Sequence, residues 1–194
     1  MKNTCLILII SILFLSCSKD VMDRIIFIPD EIDSNLPAYT EWGYNTFGAE
    51  FEGDYFLVSN DIVPCKILYD SGKLQFSLHG RVGYNNKMDM LFTFPAQEMK
   101  KYLDLVQLND VEIDLASADC VVKIIKKGEI DFTVNVLEGK LHFKRAQTLS
   151  IDNEVNRVIL SGVFNVQFLE KGYPTYISDG RFDMGIDEKV FWAF

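Results

Sequence analysis

Histidine is scarce in this chain: 194 residues carry only two, His79 and His142, which narrows the metal and acid–base chemistry open to it. Neither stands in a His-x-His or His-Glu-x-x-His spacing, and the four cysteines form no Cys-x-x-Cys. No metal site and no cofactor is therefore expected. Both histidines share strand parity with polar neighbours and read as surface residues. There is no Gly-x-Ser-x-Gly elbow to expose a serine nucleophile. Cations are the minority, 19 Lys and Arg against 28 Asp and Glu for a net charge of −9. An acidic surface argues against nucleic acid or anionic lipid as a partner, since both attract clustered Lys and Arg. No apolar run approaches the roughly 20 residues of a membrane-spanning helix, and no repeat of solenoid length or low-complexity tract is present.

What the chain does have stands at its start. Lys2, a short apolar run over residues 5–15 and then Phe14-Leu15-Ser16-Cys17 have the form of a secretory signal ending in a lipobox. Residues 1–16 are read as a lipoprotein signal peptide, and Cys17 as the residue whose sulfur takes a diacylglyceryl group and whose amine, once exposed by cleavage, takes a further acyl chain. Several acyl chains anchor stably. Ser18 replaces the aspartate that favours inner-membrane retention in enteric bacteria, so the expected address is the outer membrane, in either leaflet. Residues 17–45, with Pro29, Pro37 and the acids Asp30, Glu31 and Asp33, read as an acylated N-terminus and tether. The apolar stretch Ile25 to Ile28 is available to dock as an edge strand.

Residues 46–194 read as a single β-domain. Short runs of alternating apolar residues are separated by glycine-containing pairs, the pattern of antiparallel hairpins. A turn at Ser71-Gly72 sets Tyr69 opposite Leu74, Ile67 opposite Phe76 and Cys65 opposite Leu78. A turn at Gly53-Asp54 sets Phe51 opposite Phe56, and one at Glu138-Gly139 sets Val136 opposite Leu141. Met88, Met90, Phe92 and Phe94 form one period-two stripe, and Val158, Leu160, Phe164, Val166 and Phe168 another, with Phe182, Met184 and Ile186 on a return strand after Lys171-Gly172-Tyr173-Pro174. After Pro95, Met99, Tyr102, Leu103 and Val106 share a helical face. The expectation is an all-β antiparallel sandwich or partly closed barrel of about eleven strands with one short helix.

Four aromatics, Trp42, Tyr44, Tyr84 and Tyr173, fall in loops or at the end of the tether rather than at core parity. They are candidate binding residues, because a loop aromatic stacks a sugar ring and offers a polar tip; covering the rim of the core is the alternative. Asp179, Arg181 and Asp183 alternate on one strand face and read as structural ion pairs. Cys65 and Cys120 remain for a compartment that permits oxidation. One disulfide between them would restrict the unfolded chain by about 4 kcal/mol; two buried thiols are the alternative. Val190, Trp192 and Phe194 resemble the terminal signature of outer-membrane barrels, but charges alternating on other strands would then lie in lipid.

Asn45-Thr46-Phe47-Gly48-Ala49, Leu160-Ser161-Gly162-Val163-Phe164 and Ile177-Ser178-Asp179-Gly180-Arg181-Phe182-Asp183, together with the lipobox, resemble the small Bacteroidetes lipoproteins of unknown function. Ser18-Lys19-Asp20 resembles a weak form of their surface-export tag. The resemblance implies an all-β extracytoplasmic domain and supplies no catalytic residues. The expected activity is non-enzymatic binding of a glycan or an envelope protein by a chain held to the membrane through its lipid. A structural accessory of an outer-membrane complex, or a carboxylate-dependent hydrolase, are the other readings.

Overall fold

Two-residue turns whose central residues both lie in the left-handed region match the twist of antiparallel strands, and glycine suits the second position. Three such turns occur here: Glu52-Gly53 (φ 53° and 81°), Ser71-Gly72 (49° and 81°) and Lys171-Gly172 (51° and 88°). The computed structural model describes residues 24–83, 86–127, 132–151 and 154–194. Among these the strands are β1 (Thr46–Phe51), β2 (Asp54–Leu57), β3 (Cys65–Asp70), β4 (Lys73–Val82), β5 (Asn86–Pro95) and β6 (Val111–Asp114). They continue with β7 (Val121–Lys126), β8 (Phe132–Thr133), β9 (Asn135–Ile151), β10 (Glu154–Glu170), β11 (Tyr173–Ile186) and β12 (Phe191–Ala193).

All belong to one sheet, ordered β6-β9-β10-β11-β1-β2-β4-β5-β7-β8, with β3 on β4 and β12 on β3. Every pairing is antiparallel except β12 with β3. Between β4 and β9 lie five strand spacings, about 24 Å on a flat sheet, yet the Phe76 and Phe143 rings on those strands are 5.5 Å apart. The sheet must therefore curl on itself. The all-β expectation holds, and its form is a half-barrel of one sheet rather than a sandwich of two.

Phenylalanine fills the inside of the curl. Phe76 meets Phe182 at 4.9 Å, Phe92 meets Phe164 at 5.4 Å, and Phe143 meets Phe182 at 5.6 Å. The stripes on β5, β10 and β11 are buried, and the β3–β4 register is the predicted one, with Tyr69 facing Leu74, Ile67 facing Phe76 and Cys65 facing Leu78. Glycine supports this packing where backbones approach closely. A Cβ on Gly162 would lie 2.1 Å from the His142 carbonyl oxygen and 2.6 Å from the Phe182 ring. Overpacking of this kind costs about 1–3 kcal/mol. Gly162→Ala is accordingly expected to lower stability by about 2 kcal/mol in a denaturant melt.

Three local expectations are corrected. The β1–β2 turn is centred on Glu52-Gly53, so Phe51 faces Asp54 and Ala49 faces Phe56; the pair follows the same X-Gly rule as the other two turns. Glu138-Gly139 is no turn but the middle of β9, where Gly139 lies against Val166 and an added Cβ would sit 2.7 Å from the Asn165 carbonyl oxygen. The helix after Pro95 is a 3₁₀ segment, Tyr102–Leu108, packed on β9 and β10. Its three-residue period aligns Tyr102, Leu105 and Leu108, so Leu105 is buried and Val106 is exposed. Asp104 caps it by accepting from the Lys100 and Lys101 backbone N–H groups at 2.8 and 3.1 Å.

The two domain cysteines are free thiols. Cys65 sits on β3, and Cys120 precedes β7, which pairs with β5. Three strand spacings, about 14 Å, separate β3 from β7, beyond the Cα separation of about 7 Å that a disulfide allows. Burial alone pushes the Cys65 thiol well above its ordinary range; partial burial, with Asp114 and Asp119 nearby, raises Cys120 as well. Native protein is expected to label slowly at Cys120, and at Cys65 only on unfolding, in a thiol-alkylation mass spectrum.

Candidate functional site

The segment leading into β1 is not a free tether from residue 24 onward. Pro29 bridges to Pro37, the Ile26 backbone N–H donates to the Tyr44 carbonyl, and Leu36 is buried. The stretch then crosses the outer face of the sheet as a strap. Gln147 on β9 donates to the Glu41 carbonyl, while Gly48 on β1 lies beneath Pro37 and Gly185 on β11 beneath Gly43. These glycines leave the room a strap needs.

Asp183 fastens it. This carboxylate, 1% exposed, accepts from the Thr40 hydroxyl at 2.5 Å and from the backbone N–H groups of Trp42, Gly43 and Tyr44 at 3.1, 2.8 and 3.2 Å. Ser161 on β10 donates to it as well, at 2.8 Å. The expected pairing of Asp183 with Arg181 is thus corrected. Arg181 instead donates to Asp30 at 2.8 Å and stands 4.0 Å from Asp179. Asp183 is taken up by the strap donors and Ser161, and a bulge at Asp179, whose φ is 51°, shifts the β1–β11 and β10–β11 registers beside it. Thr175 and Ile177 point inward before it, Gly180 and Phe182 after it, so strict alternation fails there.

Two further strap acids carry charge at the surface. Backbone N–H groups of Asp33 and Ile32, and then Arg181, hold the Asp30 carboxyl below its ordinary 3.8. Asp33 is lowered by the Asn35 backbone N–H and the Tyr55 hydroxyl. Groups with a lowered folded pKa stabilise above their unfolded value, and that contribution is lost as pH falls through the folded one. Stability is therefore expected to decline below a pH of about 4, with a shallower decline in Asp30→Asn, measured by melting temperature across an acid series.

The sequence-chosen aromatics do not form one site. Trp42, 69% exposed, and Tyr44 line a small pocket of about 140 Å³ with Ile26, Arg157 and Gly185. Tyr173, 77% exposed, stands at the Lys171-Gly172 hairpin, at the opposite end of β11. Tyr84 and Cys17 lie outside the described residues. The histidines each meet an aspartate, His79 with Asp89 at 2.9 Å and His142 with Asp110 at 3.0 Å. His79 is largely covered rather than solvent-facing, because the loop before β3 folds against it: its backbone N–H donates to the Pro64 carbonyl.

A wide cavity opens where the sheet is split. One edge of β4 serves β3 over residues 73–78 and β2 over residues 81–82, and the 58–64 loop leaves that edge between them. Opposite, β11 ends and the chain turns through Asp187 to β12. A cleft of about 670 Å³ lies in this break. Its apolar lining includes Ile25, Ile62, Val63, Met184, Ile186 and Trp192; Lys66, Arg157 and Asp187 are among its polar residues. Arg157 is nearly buried and 3.5 Å from Asp187. At the rim, Asp61 is bound by Arg81 and Ser59, which hold its carboxyl down to about 2.

Sequence reasoning missed Arg157, Lys66 and Trp192 as neighbours because 126 positions separate Lys66 from Trp192 and only the parallel β3–β12 pairing joins them. The alternation of Val190, Trp192 and Phe194 was the one legible trace. It marks a strand sealed onto β3, with Phe191 facing Ile67. Among the described residues, no three His, Cys, Asp or Glu side chains converge at metal-binding spacing. No protein-family model, curated protein or solved structure matches this chain.

Proposed function

We propose that the chain is an outer-membrane lipoprotein, acylated at Cys17, whose half-barrel is a non-enzymatic binding module with the split-sheet cleft as its site. The cleft carries this reading. Its volume lies within the roughly 300–1,000 Å³ of small-molecule sites, which combine apolar walls with a few converging polar groups. The inside of the curl is filled by phenylalanine rings, so a ligand is accommodated in the break rather than in the barrel. Trp192 offers a face for stacking, Lys66 offers a hydrogen-bond donor, and Arg157 with Asp187 makes part of the wall charged. A glycan or an extended segment of an envelope protein fits that chemistry.

A hydrolase would need one carboxyl kept protonated by an apolar setting. Asp61 is held the opposite way by Arg81 and Ser59, and Asp187 faces the Arg157 guanidinium. Two measurements test the proposal. The protein extracted from its own membrane should carry acyl mass on Cys17, and Cys17→Ala should leave the membrane fraction. A glycan and peptide panel should raise the melting temperature of the native chain and not that of Trp192→Ala with Lys66→Ala. Retention of Cys17→Ala in the membrane overturns the anchor; a ligand shift that survives the double variant overturns the placement of the site.

A further inference from the structure

The chain has two tryptophans, and both are exposed. Trp42, 69% exposed, lines the small pocket beside Ile26; Trp192, 40% exposed, lines the cleft beside Ile25 and Val63. The two depressions share Arg157 and Gly185 as a common wall, so the tryptophans flank a continuous surface. Ile26 and Val63 are themselves exposed large apolar residues. The described chain also enters the domain here, since Arg24 and Ile26 both line the small pocket.

We infer that this face is a bilayer-contact surface, with Trp42 and Trp192 seated at the headgroup level of the membrane that holds the lipid anchor. The inference rests on acylation of Cys17, and it adds which way the domain faces. Cys17 precedes Arg24 by seven residues, a span of at most about 25 Å when fully extended. The far end of β11, at Tyr173, is thirteen residues from Ile186, about 43 Å along the strand. An anchor on so short a lead keeps the tryptophan face near the lipid and leaves the Tyr173 hairpin remote. Tryptophan is favoured at such interfaces because its ring is apolar and its indole N–H stays hydrated. Tethering makes the contact intramolecular, so a weak preference suffices to orient the domain. The excess of acids over cations across the chain, 28 against 19, favours zwitterionic over anionic lipid. The cleft then opens at the membrane surface, and what it binds reaches it there.

Two tryptophans allow a direct test, because Trp42→Phe and Trp192→Phe each leave a single reporter. Each acylated variant is extracted from its own membrane, placed in phosphatidylcholine vesicles and confirmed as bound by flotation. Acyl chains brominated near the headgroup should reduce the fluorescence of both variants and should accompany a blue-shifted emission relative to the Cys17→Ala form in solution. Iodide in the bulk water should quench the vesicle-bound forms less than the soluble ones. Acylated, vesicle-bound protein in which neither tryptophan responds to brominated lipid overturns the contact face while leaving the lipoprotein reading intact. Quenching of one tryptophan alone overturns the claim that both lie on one contact face. A chain without acyl mass overturns the lipoprotein reading and this inference with it.

Discussion

Asp183→Ala is expected to destabilise the protein by about 3 kcal/mol and to free the strap for proteolysis. The substitution removes the acceptor for two hydroxyls and three consecutive backbone N–H groups, and each buried donor left unmet costs about 1–3 kcal/mol. The total stays below the sum because the strap can relax toward water. Asp183→Asn keeps one acceptor oxygen but turns an amide NH₂ toward those donors, so it should fall between the alanine variant and the native chain. Against a typical domain stability of about 5–15 kcal/mol the alanine effect is large. Denaturant melts give the magnitude, and limited proteolysis between residues 24 and 45 gives the location. A loss under about 1 kcal/mol, with strap cleavage unchanged, would show that the carboxylate is not the fastener.

Phe76→Ala should cost about 3–5 kcal/mol, the range for deleting a buried aromatic side chain. Phe76 is fully buried and its ring meets Phe92, Phe143 and Phe182 at 6.3, 5.5 and 4.9 Å; Phe92 is its ladder partner on β5, whereas Phe143 on β9 and Phe182 on β11 belong to strands that the hydrogen-bond ladder keeps far apart. The cavity left cannot collapse easily, since the surrounding rings belong to three different strands. Phe76→Leu should recover more than half of that loss, leaving a deficit near the value of ring–ring geometry, about 0.5–1.5 kcal/mol. Equal stability of Phe76→Ala and the native chain would mean that the curl is held by the sheet alone.

Much of the fold was legible as pattern. Period-two burial on β4 and β5, and the hairpin turns at Ser71-Gly72 and Lys171-Gly172, are local properties, and both survive in the structure. Where glycine serves a close approach between strands, as Gly139 does against Val166, the same residue looks like a turn in sequence. The 3₁₀ segment reads in sequence as a longer α-helix starting soon after Pro95, because periods of about 3.0 and 3.6 nearly agree over one turn. The bulge at Asp179 left no local signal, so the Asp179-Arg181-Asp183 face looked regular.

The sites were much less legible. Trp42 and Trp192 lie 150 positions apart, and no spacing rule connects them. Residues 24–45, by composition a tether, become a strap through acceptors supplied by Asp183 some 140 positions later. By itself the sequence determined most strands, the parity of their core stripes, two of the hairpin turns and the acidic balance, because these depend on neighbours within a few residues. Curling of one sheet, splitting of its β4 edge and burial of one carboxylate under the strap depend on contacts between distant strands. Those contacts, which only the packed tertiary structure creates, decided where the cleft opens and which residues face it.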